Sequence, residues 1–115
     1  MMITVRQLIE KTGFTPLTPV KEAEITSGYV CDMLSWVMAR ACNGTAWVTV
    51  QSHVNVVAVA SLTGCACVII PDNIEVSEET LAAARSRDVC ILSAPCTSYG
   101  VAAALHDLDV GEVEK

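Results

Sequence analysis

The sequence predicts an α/β fold of three layers, in which helices cover both faces of a mainly parallel central sheet. Three short apolar runs support this prediction, at residues 46–50, 67–70 and 89–92. Each run has the length of a buried strand, ends in small or polar residues and precedes a helix-like segment. Strand, polar turn and helix in repetition are typical of a parallel α/β sheet. We therefore expect one domain over residues 1–115, with ligand groups at the carboxyl ends of the strands.

The composition predicts a full core with apolar surface left over. Apolar residues make up 52% and charged residues 17% of the 115 residues, whereas about 25% charged residues are typical of soluble domains. No apolar run approaches the roughly 20 residues that a membrane-spanning helix needs. We interpret the apolar surplus as a subunit interface, which predicts a homodimer.

The charge and cysteine patterns limit the compartment and the partners. The net charge is −6 and the seven basic residues form no cluster, so we expect no binding to nucleic acid. Arg6, Glu10 and Lys11 near the N-terminus do not resemble a secretion signal, which favours a cytoplasmic location. The six cysteines include no Cys-x-x-Cys pair. We interpret them as small, buried, reduced hydrophobes and expect no metal and no cofactor.

The N-terminal part carries signals for a helix and then for extended chain. Thr4 and Gln7 have the spacing of a capping box, which predicts a helix over residues 4–12. Prolines make residues 14–19 extended chain, or an edge strand at best. Residues 25–30 have the composition of a short strand, although their pattern is ambiguous.

The next helix has a wide apolar arc. Asp32 is a typical N-cap, and we predict a helix from there to Ala41. The arc includes Met33, Trp36 and Val37 and is wider than one core-facing stripe. Two interpretations stay open. The helix is either buried inside the domain or forms the homodimer interface, where Trp and Met are enriched.

Three later helices are predicted from their first residues, Ser52, Ser77 and Thr97, which are typical N-caps. They are expected over residues 52–62, 77–87 and 97–108. The end of the chain, residues 109–115, is polar and acidic and is expected to fray.

Polar side chains gather after the first and third of the predicted strands. The candidate ligand-binding residues are Gln51, Ser52, His53, Asn55, Ser93 and Thr97. The first four surround a helix start whose free N–H groups can bind an anion or a carbonyl. The last two lie beside them if the two strands are neighbours. The alternative is that these residues only cap helices and satisfy nearby backbone groups.

No motif for nucleotide hydrolysis, dinucleotide binding or zinc proteolysis is present, so no catalytic residue is assigned. An alternative is a small enzyme that uses His53 as acid or base, or Cys96 near a helix start as nucleophile. No base that matches Cys96 is identifiable, and nucleophilic catalysis needs one within reach.

Three segments together resemble the DRTGG domain family. They are YVCDMLS (residues 29–35), WVTVQSHVNVVAVA (residues 47–60) and ILSAP (residues 91–95). The pentapeptide that names the family has no literal copy here. Members are similar to the N-terminal domain of HPr kinase/phosphorylase. Elsewhere the domain accompanies CBS modules in regulated pyrophosphatases, and phosphotransacetylase catalytic domains.

The resemblance implies an α/β/α fold like that N-terminal domain and a regulatory, dimerising role. It implies no kinase activity, because that activity resides in a separate P-loop domain. We therefore expect a non-enzymatic module that self-associates and binds a small ligand or a partner protein. A metal- or redox-linked accessory protein of an anaerobic hydrogenase system is the alternative that the resemblance also suggests.

Overall fold

The computed structural model describes residues 2–114, which form five helices and a five-stranded sheet. The helices are α1 (Val5–Thr12), α2 (Leu34–Arg40), α3 (Asn55–Thr63), α4 (Glu78–Ser86) and α5 (Ser98–Asp107). The strands are β1 (Thr15–Pro16), β2 (Ser27–Val30), β3 (Thr45–Val48), β4 (Cys67–Ile70) and β5 (Ile91–Ser93). None of the helices within residues 2–114 is long and apolar enough to cross a membrane.

The sheet has the strand order β1-β5-β4-β3-β2. Strands β2 to β5 run parallel, and β1 pairs antiparallel with β5. Helices α2, α3 and α4 connect the parallel strands and pack on one face of the sheet. Helices α1 and α5 pack on the other face. The predicted three-layer fold with a mainly parallel sheet is therefore confirmed.

The central strands are buried on both faces, which explains their continuous apolar sequence. All residues of β3 and β4 are buried. Trp47 and Val68 face α2, α3 and α4, whereas Val48 and Ile69 face α1 and α5. Full burial of one such side chain contributes about 1.5–3 kcal/mol to the free energy of folding.

The N-terminal signals of α1, α4 and α5 are confirmed. The Thr4 hydroxyl accepts from the Gln7 N–H, and the Gln7 side chain accepts from the Thr4 N–H, which completes a capping box. The Ser77 and Thr97 hydroxyls each accept from the backbone N–H three residues ahead. Such a cap contributes about 1 kcal/mol.

The predicted cap of α2 is wrong. The helix begins at Leu34, and the preceding Met33 makes no side-chain capping bond. Asp32 does not cap because its Oδ1 accepts instead from the Thr49 hydroxyl and the Val50 N–H. Asp32 therefore bonds the loop after β3 instead of capping the first turn of α2.

The predicted cap of α3 is wrong as well. The helix begins at Asn55, and Val54 before it makes no side-chain capping bond. Ser52 lies in a loop that is tied to α4, because the Ser52 carbonyl accepts from the Thr80 hydroxyl. The Asn55 N–H donates to His53 Nδ1, so the imidazole takes the place of a capping hydroxyl.

Two strand boundaries differ by two residues from the sequence prediction. β3 ends at Val48 rather than at residue 50. β5 begins at Ile91 rather than at residue 89, because the Thr18 hydroxyl bonds both the Val89 carbonyl and the Ile91 N–H. The two ambiguous N-terminal segments form the short edge strands β1 and β2.

The last described residues pack along β2. Val110 and Val113, which lie in the segment expected to fray, are buried. The Gly28 N–H donates to the Gly111 carbonyl at 2.8 Å, and the Val113 N–H donates to the Gly28 carbonyl at 3.2 Å. The chain is therefore held to the sheet edge as far as Val113, and Lys115 lies outside the described residues.

All six cysteines are free thiols. The buried ones are Cys65, Cys67 and Cys90. Desolvation raises the pKa of each of these thiols above the ordinary 9.0, and for the fully buried Cys67 well above it. Cys31 and Cys96 are half-buried and Cys42 is exposed, so the prediction of six buried thiols is correct only for Cys65, Cys67 and Cys90.

Candidate functional site

One carboxylate joins the loops that follow β2 and β3. Asp32 Oδ1 accepts from the Thr49 hydroxyl at 2.8 Å and from the Val50 N–H at 3.0 Å. The Asp32 carbonyl accepts from Gln51 Nε2 at 2.6 Å. Bonds to a charged group are roughly twice as strong as neutral ones. This junction fixes the position of the β3–α3 loop and engages the side-chain amide of Gln51.

A cleft of about 500 Å³ opens between the β3–α3 loop and the start of α4. Its lining residues are Ser52, His53, Val54, Glu75, Ser77, Glu79 and Thr80. The Thr80 hydroxyl donates to the Ser52 carbonyl at 3.1 Å, and the Ser77 hydroxyl donates to that of Thr80 at 3.1 Å. These bonds join the two walls of the cleft.

The imidazole of His53 lines this cleft. Its Nδ1 accepts from the Asn55 N–H at 3.2 Å, and both residues are exposed. A neutral imidazole whose Nδ1 accepts carries its proton on Nε2, so Nε2 is a donor. The carboxylates of Glu75 and Glu79 are acceptors, and among residues 2–114 no Lys or Arg lines the cleft. The cleft therefore suits an uncharged or cationic polar ligand better than a phosphate.

Two other predicted residues, Ser93 and Thr97, lie one strand further along the same edge of the sheet than the cleft. β4 separates β3 from β5, so the ends of these two strands are about 10 Å apart. Ser93 ends β5 and is half-buried. Thr97 caps α5 through the Gly100 N–H. The structure thus brings Ser52 and His53 together in one cleft and leaves Gln51, Asn55, Ser93 and Thr97 outside its lining.

The geometry contains no bonded pair of nucleophile and base at His53 or Cys96. Within residues 2–114 the hydrogen bond to the His53 ring comes from a backbone N–H, not from a hydroxyl or thiol. Cys96 is half-buried against the first turn of α5. A Cβ placed on Gly100 would lie 3.3 Å from the Cys96 Sγ. No group of three or more His, Cys, Asp or Glu side chains in the described part of the chain could hold a metal ion.

The surface of α2 retains two of the three residues proposed for an interface. Met33 is 56% and Trp36 53% exposed. Val37 is fully buried in the core beside α3, so its assignment to an interface is wrong. The Arg40 guanidinium lies 5.2 Å from the centre of the Trp36 ring, in the geometry of a cation–π contact.

Sequence reasoning missed the acidic wall of the cleft. Glu75 lies before α4 and Glu79 lies in its first turn. The sequence around them predicted only the start of a helix. The signal that was available is chain order, because consecutive strands of an α/β sheet are usually neighbours. That rule places the loop after β4 beside the loop after β3.

Comparison with solved structures relates this fold to a known one. The chain is similar to a structure of the CBS and DRTGG domains of the regulatory region of Clostridium perfringens pyrophosphatase, complexed with the activator diadenosine tetraphosphate. The TM-score is 0.71 at 9% sequence identity, and the match covers 89% of this chain and 45% of that chain. The present chain therefore spans less than half of the matched one. No family model and no curated protein matches the sequence. The structural match supports the DRTGG-like fold that the sequence resemblance implied.

Proposed function

We propose that this chain is a non-enzymatic regulatory module of the cytoplasm that binds a small ligand and self-associates. The observation that carries the proposal is the DRTGG-like fold, which matches part of a regulatory region complexed with a small activator. Regulation requires two coupled sites, one for the ligand and one that responds to it. The cleft beside His53 and the exposed side chains of Met33 and Trp36 are candidates for these two sites.

The ligand is proposed to contact Ser52 and His53 in the cleft. Gln51 precedes these residues in the same loop, and Asn55 is the first residue of α3. A ligand that also contacts Ser93 and Thr97 must extend about 10 Å along the edge, across the end of β4. Because the described residues that line the cleft include two carboxylates and no Lys or Arg, nucleosides, amides and amines are better candidates than phosphates.

A thermal-shift screen with nucleosides, amino-acid amides and polyamines tests the ligand site. A compound that binds only the folded state raises the melting temperature, by an amount that grows with its concentration. His53→Gln should abolish the rise, since it removes the ring that lines the cleft. His106→Gln is the matched control, because the second histidine of the chain is exposed on α5, outside the cleft. An equal rise in His53→Gln and wild type would refute this site.

Light scattering coupled to size-exclusion chromatography tests self-association. We expect a dimer that Trp36→Glu converts to a monomer, because loss of a central aromatic residue weakens an interface by about 2 kcal/mol or more, roughly 30-fold in Kd. Leu62→Glu on α3 is the control, since Leu62 is also an exposed apolar residue, at 72%. A wild-type monomer at high concentration, or equal effects of both variants, would contradict an interface on α2.

A further inference from the structure

A second cavity, of about 700 Å³, lies at the β2 edge of the sheet, between β2, α5 and residues 110–112. It shares no lining residue with the cleft beside His53. The lining residues that matter here are Gly28, Val30, Tyr99, Leu105, Asp107 and Glu112. We call this cavity the edge groove.

The groove exposes unpaired backbone of an edge strand. Residue 31 donates its N–H to the Val48 carbonyl of β3, so the backbone groups of Val30 face away from β3. Gly28 faces the same outer side, and its N–H and carbonyl are both bonded to the segment at Gly111 and Val113. No backbone or side-chain group in residues 2–114 bonds Val30 on that side. An extended peptide that pairs with an edge strand uses such groups.

The side chains around this backbone are apolar within and acidic at the rim. Val30 is 48% exposed and Tyr99 is 85% exposed, although both are large apolar or aromatic side chains. Asp107 and Glu112 line the groove, and residues 99–114 contain no Lys or Arg. The groove therefore combines an uncovered apolar wall with two carboxylates, and none of its lining residues within the described range 2–114 is Lys or Arg.

The charge argues against a second copy as the occupant. The chain has a net charge of −6, and pairing two β2 edges would bring the carboxylates of both grooves together. Like charges that face each other across an interface lower affinity, whereas opposite charges favour it. A strand with basic residues toward the rim and an apolar residue toward Val30 satisfies both the charge and the apolar wall.

We propose that the edge groove binds an extended, basic segment of a partner protein, which adds to β2 beyond Gly28. The groove-facing positions of such a strand are every second residue. They place an apolar side chain against Val30 and Tyr99 and a Lys or Arg near Asp107 and Glu112. This assignment is independent of the ligand cleft and of the association surface on α2.

Titration of the ¹⁵N-labelled full chain with the peptide acetyl-Lys-Thr-Val-Thr-Lys-Thr-Val-amide tests the proposal by NMR. Amide shifts are expected at Val30, Tyr99, Asp107 and Glu112. The same peptide with Glu in place of Lys should not bind. Removal of each carboxylate, by Asp107→Asn and Glu112→Gln, should weaken binding about two- to fivefold, less at high salt.

Two controls separate the groove from nonspecific attraction to an acidic protein. The double variant Glu10→Gln and Asp88→Asn removes the same charge elsewhere and should leave the peptide affinity unchanged. N-methylation of the peptide at its first valine removes a backbone N–H that can donate to β2. This peptide should therefore bind the unchanged protein more weakly. Equal binding of the Glu peptide, shifts confined to the cleft or α2, or a dimer whose β2 edges are paired would overturn the proposal.

Discussion

Two glycines with positive φ differ in the space around them. Comparing them separates the energetic cost of a left-handed backbone conformation from that of a steric clash. Gly13 ends α1 with φ of +76°, and a Cβ added there meets nothing within 4 Å. Gly44 has φ of +92°, and a Cβ there lies 2.6 Å from the side chain of Thr26 and 3.1 Å from the Glu24 carbonyl. A left-handed residue other than glycine costs about 1–2 kcal/mol. Only Gly44 adds a steric clash to that cost.

We therefore expect Gly13→Ala to lower the free energy of unfolding by about 1 kcal/mol. Gly44→Ala should lower it by about 1–3 kcal/mol more, because the backbone around Thr26 must shift. Urea unfolding monitored by tryptophan fluorescence measures both. Gly111→Ala, where neither φ nor space is restricted, is the control and should change stability by less than about 0.5 kcal/mol. Equal losses in the first two variants would show that the surroundings of Gly44 yield freely.

Whether a residue's role could be predicted from the sequence depends on how far along the chain its hydrogen-bond partners lie. Thr4, Ser77 and Thr97 cap as predicted, since their partners lie three residues away. Asp32 has the same cap-like side chain, but the groups that it bonds lie 17 and 18 residues away. Ser52 is held through its backbone carbonyl, by a hydroxyl 28 residues away. A local pattern contains no information about such partners, and tertiary contacts override it.

At the scale of elements, the apolar runs predicted where the central strands lie but not where they end. Runs of apolar residues mark β3, β4 and β5 because burial on both faces requires them. Their ends depend on hydroxyls of other segments, as with Thr18 at the start of β5. The same limit explains why the sequence prediction included Ser52 and His53 as candidate site residues but not the acidic wall formed by Glu75 and Glu79.

The loop junction at Asp32 gives a prediction at this scale. Asp32→Ala leaves the Thr49 hydroxyl and the Val50 N–H without their acceptor, which is expected to cost about 2–3 kcal/mol. Asp32→Asn keeps an oxygen in place and should cost less than half of that, since only the charge is lost. Urea unfolding gives the stabilities, and amide shifts at Val50 and Gln51 report the loop.

Asp107→Ala is the control for this pair, because Asp107 is an exposed aspartate whose side chain makes no hydrogen bond or ion pair within residues 2–114. It should change stability by less than about 0.5 kcal/mol. If Asp32→Ala is equally mild, the junction does not hold the two loops together.

Strand order is a property of the whole molecule. It determines which of the candidate site residues lie close together and which lie apart. The repeated strand–helix pattern predicted the layers, because each helix has a face that must be buried on a sheet. It did not predict that β4 would stand between β3 and β5, which separates Ser93 from His53. It also left open that β2 would be an edge, where the edge groove forms.

The buried thiols make stability depend on pH in the alkaline range, which is a property of the whole folded state. Burial raises the pKa of Cys65, Cys67 and Cys90 above the ordinary 9.0. Below the unfolded-state pKa these thiols are protonated in both states. Above it the unfolded chain loses their protons while the folded chain keeps them, so stability falls as pH rises toward the folded-state values. Each such thiol contributes a slope of up to about 1.4 kcal/mol per pH unit.

Urea unfolding from pH 7 to pH 10 under reducing conditions measures this slope, and Cys67→Ala identifies its largest source. Cys67 is fully buried, so the variant loses some stability at pH 7 but should have a shallower alkaline decline than wild type. Val68→Ala truncates the next buried residue without removing a titrating group, and its stability should lie below wild type by the same amount at every pH. If the curves of Cys67→Ala and wild type are parallel as well, the Cys67 thiolate is tolerated inside the sheet, and burial between two helix layers does not exclude charge from this core.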